Sequence, residues 1–163
     1  MEKIYDQIEK YVKRIQKHLG AGFKEGVLQN ALAKEFIDSK IKYEKELNLD
    51  ILYKKNRIGY ITPDFYIPKQ NTFDINEDFI IETKQAPLKT KVENLSQLKI
   101  YLKSRRNHFG YKDINKAMII YWENKDLLNE NENHVNFSIE VLIEVWELSK
   151  KSDSMKKIWT SKK

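Results

Sequence analysis

Apolar residues at the start of the chain recur at three- and four-residue steps: Ile4, Ile8, Tyr11, Val12, Ile15 and Leu19 share one face of a helix. Gly20-Ala21-Gly22 ends it, glycine being suited to a helix C-terminus. A second helix is predicted over 23–39, with Val27, Ala31, Leu32, Phe36 and Ile37 on its apolar side. Three strands follow, over 46–53, 58–67 and 79–84, and residues 56–59 predict a hairpin turn between the first two. Helical spacing returns over 94–105, where Leu95, Leu98, Tyr101 and Leu102 fall together. Residues 117–122 form a continuous apolar run of buried-strand type. After an acidic loop predicted over 129–133, the pattern satisfies both periods. Ile139, Val141, Ile143 and Val145 alternate as in a strand, whereas Ile139, Leu142, Ile143 and Trp146 fit a helix. We read a strand there, a turn over 149–154 and a short strand over 157–160.

This order (helix, helix, strand hairpin, strand, helix, strand) predicts an α/β fold with a mixed central sheet flanked by helices. A helix between the strands at 79–84 and 117–122 implies a parallel, right-handed crossover. With 163 residues, no internal repeat and no long linker, a single domain spanning 1–163 is expected. The net charge of +6 and pI near 9.2 favour an anionic partner. The absence of cysteine excludes a disulfide scaffold and a thiolate zinc site, and fits a reducing, intracellular (cytoplasmic) setting. No apolar stretch reaches membrane-spanning length, and the N-terminus lacks the apolar segment of a secretory signal, so no membrane partner is expected. Oligomeric state is not readable.

Two short strings change the picture. Thr62-Pro63-Asp64 stands at the end of one apolar run, and Glu82-Thr83-Lys84 at the end of the next. Acid-x-Lys triplets also occur at Asp38-Ser39-Lys40 and Glu123-Asn124-Lys125, but only the middle one follows a buried-type run, Phe79-Ile80-Ile81. Alternation along a strand places Ile80, Glu82 and Lys84 on one face, and Tyr60, Thr62, Asp64 and Tyr66 on one face of the preceding strand. Pro63 cannot donate a ladder hydrogen bond, which predicts a bulge or strand edge. Two carboxylates offer hard oxygen ligands to Mg²⁺, and a lysine beside them can stabilise a phosphate or polarise a water. That set suits phosphodiester hydrolysis. Gln97 and Tyr101 lie one helical turn apart and project together. From Lys84 to Lys116 nine basic residues stand against Glu93 and Asp113. This excess could track a phosphate backbone, with Tyr101, His108, Phe109 and Tyr111 available to stack and Lys99, Arg105 and Arg106 as candidate contacts. A solvated basic face is the competing reading. His18, His108 and His134 show no ligand spacing.

The segment from His18-Leu19-Gly20-Ala21-Gly22-Phe23-Lys24-Glu25 through Gly26-Val27-Leu28-Gln29-Asn30-Ala31-Leu32 resembles the helix signature of the GxxExxY group of the PD-(D/E)xK nuclease superfamily. The likeness continues through Thr62-Pro63-Asp64 and Glu82-Thr83-Lys84 to Gln97 and Tyr101, which are similar to the Gln-x-x-x-Tyr motif of RecB-like exonucleases. It covers about residues 4–122 and leaves 123–163 as an extension completing the fold. Leu28 departs from the motif, which has tyrosine there, so a polar contact of that tyrosine would be missing. The resemblance implies a restriction-endonuclease-like core in which Asp64 and Glu82 bind Mg²⁺ or Mn²⁺, the Thr83 carbonyl adds a ligand and Glu25 reaches in from the second helix. Lys84 would stabilise the transition state or position the attacking water. The implied function is a Mg²⁺-dependent DNA nuclease, exonuclease action slightly favoured, in repair, recombination, replication or a mobile element. The alternatives are a non-cleaving nucleic-acid-binding protein of the same fold and a module whose basic face binds an acidic protein.

Overall fold

In the computed structural model, which describes residues 2–86, 92–106, 114–128, 135–149 and 151–161, the two leading helices form where the spacing predicts them. They are α1 (Glu2–Leu19) and α2 (Glu25–Asp38). Strands β1 (Glu44–Lys45), β2 (Leu49–Tyr53), β3 (Asn56–Ile61), β4 (Phe65–Ile67) and β5 (Phe79–Lys84) precede α3 (Val92–Arg106). The chain then returns through β6 (Lys116–Leu128), β7 (Val135–Leu148) and β8 (Met155–Thr160). Six strands make one sheet in the order β1-β4-β5-β6-β7-β8, while β2 and β3 pair separately. The β5–β6 step is parallel, as the intervening α3 requires, and the other steps of the sheet are antiparallel.

Alternation along the central strands divides the core into two layers. Phe65, Phe79, Ile81, Met118, Ile120, Trp122 and Ile143 pack with Ile8, Val12, Leu28, Leu32 and Phe36 of α1 and α2. Tyr66, Ile80, Ala117, Ile119 and Tyr121 face Leu98, Tyr101 and Leu102 of α3. Covered on both faces, β5 and β6 read as continuous apolar runs rather than alternating ones. The result is the mixed α/β sheet flanked by helices that a restriction-endonuclease-like core calls for.

Three expectations are corrected. The buried stripe of α2 is Leu28, Gln29, Leu32, Ala33 and Phe36, while Val27 and Ile37 are exposed. Each helical step turns about 100°, so with Leu28, Gln29, Leu32, Ala33 and Phe36 setting the stripe, Val27 and Ile37 fall outside its two edges. The predicted 58–67 strand is two strands in two sheets, because 62–64 forms a connector around Pro63. The shared face of Tyr60, Thr62, Asp64 and Tyr66 is therefore lost: Tyr60 is exposed on the hairpin and Tyr66 is buried against α3. The 46–53 strand begins only at Leu49, because Glu46, with φ of 55°, breaks extended backbone after β1. The acidic loop at 129–133, with His108, Phe109 and Tyr111, lies outside the described residues.

The hairpin turn is also displaced from 56–59. Lys54 and Lys55 occupy it with φ of 50° and 68°, since Tyr53 already pairs with Asn56. Positive φ at both central residues favours Asn-Gly, and a side chain there costs about 1 kcal/mol per residue. Replacing Lys54-Lys55 by Asn-Gly should accordingly stabilise the hairpin by about 1 kcal/mol. Slower hydrogen exchange of the β2 and β3 amides would register the gain; unchanged exchange would contradict it.

Candidate active site

The geometry of β5 sets the site. Ile81 faces the α1–α2 layer and Ile80 the α3 layer, so Thr83 points to the former while Glu82 and Lys84 point to the latter. Glu82 is only 3% exposed, and Lys84 Nζ donates to its Oε1 at 2.6 Å. Pairing of β4 with β5 stops at Phe65↔Ile81. Continued by two residues, that register would set Pro63 opposite Thr83, and Pro63 has no N–H to offer the Thr83 carbonyl. The Thr83 N–H and Oγ1 instead donate to Asp64 Oδ2, at 2.7 and 2.8 Å. Within a strand the N–H and C=O of one residue point to the same side, so the Thr83 carbonyl is aimed into the gap that Asp64 borders. The Asp64 N–H in turn points at Glu82 Oε2, at 3.4 Å. Proline thus ends a ladder where two carboxylates and a backbone carbonyl converge.

Helix α2 supports this edge from below. Glu25, in its first turn, accepts from the Gln85 N–H at 2.8 Å. Gln29 Nε2 donates to Thr83 Oγ1 at 2.9 Å and approaches Glu25 Oε1 at 3.4 Å. Glu25 is therefore joined to Asp64 through Gln29 and Thr83 rather than by direct contact. Sequence reasoning missed Gln29 and Gln85. Gln29 carried a readable signal, lying one helical turn after Glu25 and so on the same face; Gln85 carried none. On the other side, the Tyr101 hydroxyl donates to the Thr62 carbonyl at 3.3 Å and accepts from Gln97 Nε2 at 2.5 Å. It also lies within hydrogen-bonding reach of Glu82. Gln97 and Tyr101 thus form a pair turned inward onto the site.

Burial and then the neighbouring Asp64 charge push Glu82 up from 4.5 to about 7, against the opposing pull of Lys84. For Lys84, burial is the largest influence and disfavours its charge. The hydrogen bond and ion pair with Glu82, with Asp64 and Glu25 behind them, outweigh it and hold the ammonium above its ordinary pKa. Burial, followed by the Glu82 charge, raises the Tyr101 phenol, so it stays protonated. The site is a buried carboxylate, Glu82, beside a half-buried one, Asp64, with the Lys84 ammonium held against them.

Two adjacent carboxylates of this kind would be relieved by a hard divalent ion, to which the Thr83 carbonyl would offer a further oxygen. Among the described residues no three His, Cys, Asp or Glu side chains are grouped so as to hold a metal ion. Asp64 and Glu82 are the adjacent carboxylates, with Glu25 behind them. The other candidates fall elsewhere. Lys99 pairs with Asp153 at 2.6 Å, as Lys103 does at 2.5 Å, tying α3 to the segment between β7 and β8. Arg105 and Arg106 close α3, and their side chains lie outside the described residues. Leu28 is fully buried in the α1–α2 layer, where an apolar side chain completes the core.

A family model for the PD-(D/E)XK nuclease superfamily matches residues 2–136 of the chain. Comparison with curated proteins and with solved structures returned no match. No helix among the described residues is long and apolar enough to cross a membrane.

Proposed function

Because the chain belongs to the PD-(D/E)XK nuclease superfamily, we propose that it is a deoxyribonuclease dependent on Mg²⁺ or Mn²⁺. The observation that carries this reading is the buried Glu82 carboxylate held beside Asp64 at the edge where Pro63 ends the β4–β5 ladder. Asp64, Glu82 and the Thr83 carbonyl would hold the cation, with Glu25 contributing from α2. When bound, the cation lowers the pKa of the attacking water and stabilises charge developing on the phosphate and the leaving oxygen.

The chain's own groups do the rest. Lys84 remains an ammonium in this setting, so it serves as a positive charge beside the phosphate and not as a base. Tyr101 keeps its proton beside Glu82 and donates a hydrogen bond to the Thr62 carbonyl, while Gln97 fixes Tyr101. Gln29 restrains both the Thr83 hydroxyl and Glu25. The likeness of Gln97 and Tyr101 to an exonuclease motif favours action at a free end, in repair, recombination, replication or a mobile element.

Labelled linear and circular DNA incubated with Mg²⁺, Mn²⁺ or EDTA tests this. Cleavage should require metal and spare the circle, and Lys84→Ala should slow it by at least about 100-fold. Binding without cleavage under any of these metals would leave a non-cleaving nucleic-acid-binding protein of the same fold.

A further inference from the structure

The β2–β3 hairpin rises directly from the active site. Ile61 at its end is followed by Thr62, whose carbonyl meets Tyr101, and then by Asp64. Cross-strand partners share a face, so Leu49, Ile51 and Ile61 form one side. That side is the anchored one, Leu49 being buried with Leu98, Tyr101 and Leu102 and Ile61 packing against the same cluster. Asp50, Leu52, Arg57 and Tyr60 form the other.

The second side and the tip are rich in exposed rings and cations. Tyr53, Ile58 and Tyr60 are 60%, 65% and 59% exposed, a concentration of large apolar groups in water. Lys54 lies 5.4 Å from the Tyr53 ring and Arg57 lies 5.6 Å from the Tyr60 ring. Asp50 neutralises one cation, pairing with Arg57 at 2.9 Å. Lys54 and Lys55 are left as net positive charge at a turn whose backbone favours other residues. Below, a groove of about 460 Å³ lined by Ile61, Thr62, Gln97, Ile100 and Tyr101 lies between the base of the hairpin and α3. Tyr60 is four residues from Asp64, so their Cα atoms are within about 14 Å.

We propose that this hairpin is a nucleic-acid arm that grips an unpaired DNA strand leading into the cleavage site. Tyr53 and Tyr60 stack on bases, and Lys54 and Lys55 meet the phosphates. The inference rests on the nuclease reading and names its substrate class. Rings interleaved with cations select single strands, because a ring can take a base face only where that base has left its own stack. A surface built for duplex phosphates alone would need the cations without the rings.

Binding measured in EDTA separates the arm from the chemistry. Fluorescence anisotropy with a labelled oligo-dT strand and with a blunt duplex, on the full chain, should show preference for the single strand. The double variant Tyr53→Ala/Tyr60→Ala should weaken single-strand binding at least tenfold. Lys54→Ala/Lys55→Ala should flatten the log–log salt dependence by about 1.4, at about 0.7 per phosphate. Both variants should melt within a few degrees of wild type, which shows that the arm and not the fold was altered. Unchanged single-strand affinity in both, or a self-association that the tyrosine substitutions abolish without affecting DNA, would overturn the arm. Wild-type protein that grips the strand through the hairpin yet cleaves no DNA with either Mg²⁺ or Mn²⁺ would overturn the nuclease reading and leave the arm standing.

Discussion

Asp64→Asn is expected to abolish metal-dependent cleavage, by at least about 10³-fold, while leaving the metal-free protein as stable as wild type or more so. Asparagine keeps an acceptor for the Thr83 N–H and hydroxyl, the contacts that Asp64 Oδ2 makes at 2.7 and 2.8 Å. What it removes is charge. The Asp64 carboxylate is the second cause, after burial, of the rise in Glu82 from 4.5 to about 7. That rise costs about 3 kcal/mol at alkaline pH, at 1.36 kcal/mol per pH unit, and the Asp64 share of it is recovered in the variant. In EDTA at pH 8 the variant should therefore melt no lower than wild type. With Mg²⁺ or Mn²⁺ only wild type should gain stability, because one of the two adjacent carboxylates is then missing. A variant that cleaves at the wild-type rate, or that gains as much stability from metal, would remove Asp64 from the site. This is the trade of stability for function expected where like charges are held together.

The parts of this arrangement that were legible in sequence are those governed by local periodicity. Alternation put Glu82 and Lys84 on one face, and they are in contact at 2.6 Å. Pro63 announced a break, and β4 begins only after it, at Phe65. What local pattern could not show is which sheet each side of the break would join. Apolar residues from Ile58 to Ile67 satisfy the strand period throughout, and only the loss of a ladder donor at Pro63 frees 56–61 to pair with 49–53 instead. The turn was misplaced because Asn56 and Gly59 are the usual turn formers, yet the backbone turns at Lys54 and Lys55. On α2, seven apolar residues and Gln29 compete for one stripe, and tertiary burial chooses Gln29 over Val27 and Ile37. That choice reflects a hydrogen bond to Thr83, fifty-four positions away, which no window of sequence contains. The link from Tyr101 to Glu82 was hidden for the same reason, since it depends on α3 crossing the sheet next to β5.

Metal binding should strengthen with pH across the neutral range, and Glu82 sets the sign. Its pKa in the metal-free fold is about 7, against 4.5 for the unperturbed group, so between these values the folded state holds a proton that the unfolded chain has released. Stability of the metal-free protein therefore falls as pH rises through that window, by about 3 kcal/mol in all, and levels off above it. Cation binding needs the carboxylate, so below pH 7 it must displace the proton, and apparent affinity should drop about tenfold for each unit of further acidification. The two trends run in opposite directions. Melting temperature in EDTA should decline from pH 5.5 to 8, while the gain on adding Mn²⁺ should grow over the same interval and then flatten. Lys84 holds its charge across this range, so it leaves the profile unaltered. Glu82→Gln, which cannot ionise, should flatten both curves, separating this carboxyl from every other titrating group. A gain from Mn²⁺ that is constant or larger at pH 5.5, or an unaltered profile in Glu82→Gln, would show that another group governs the site.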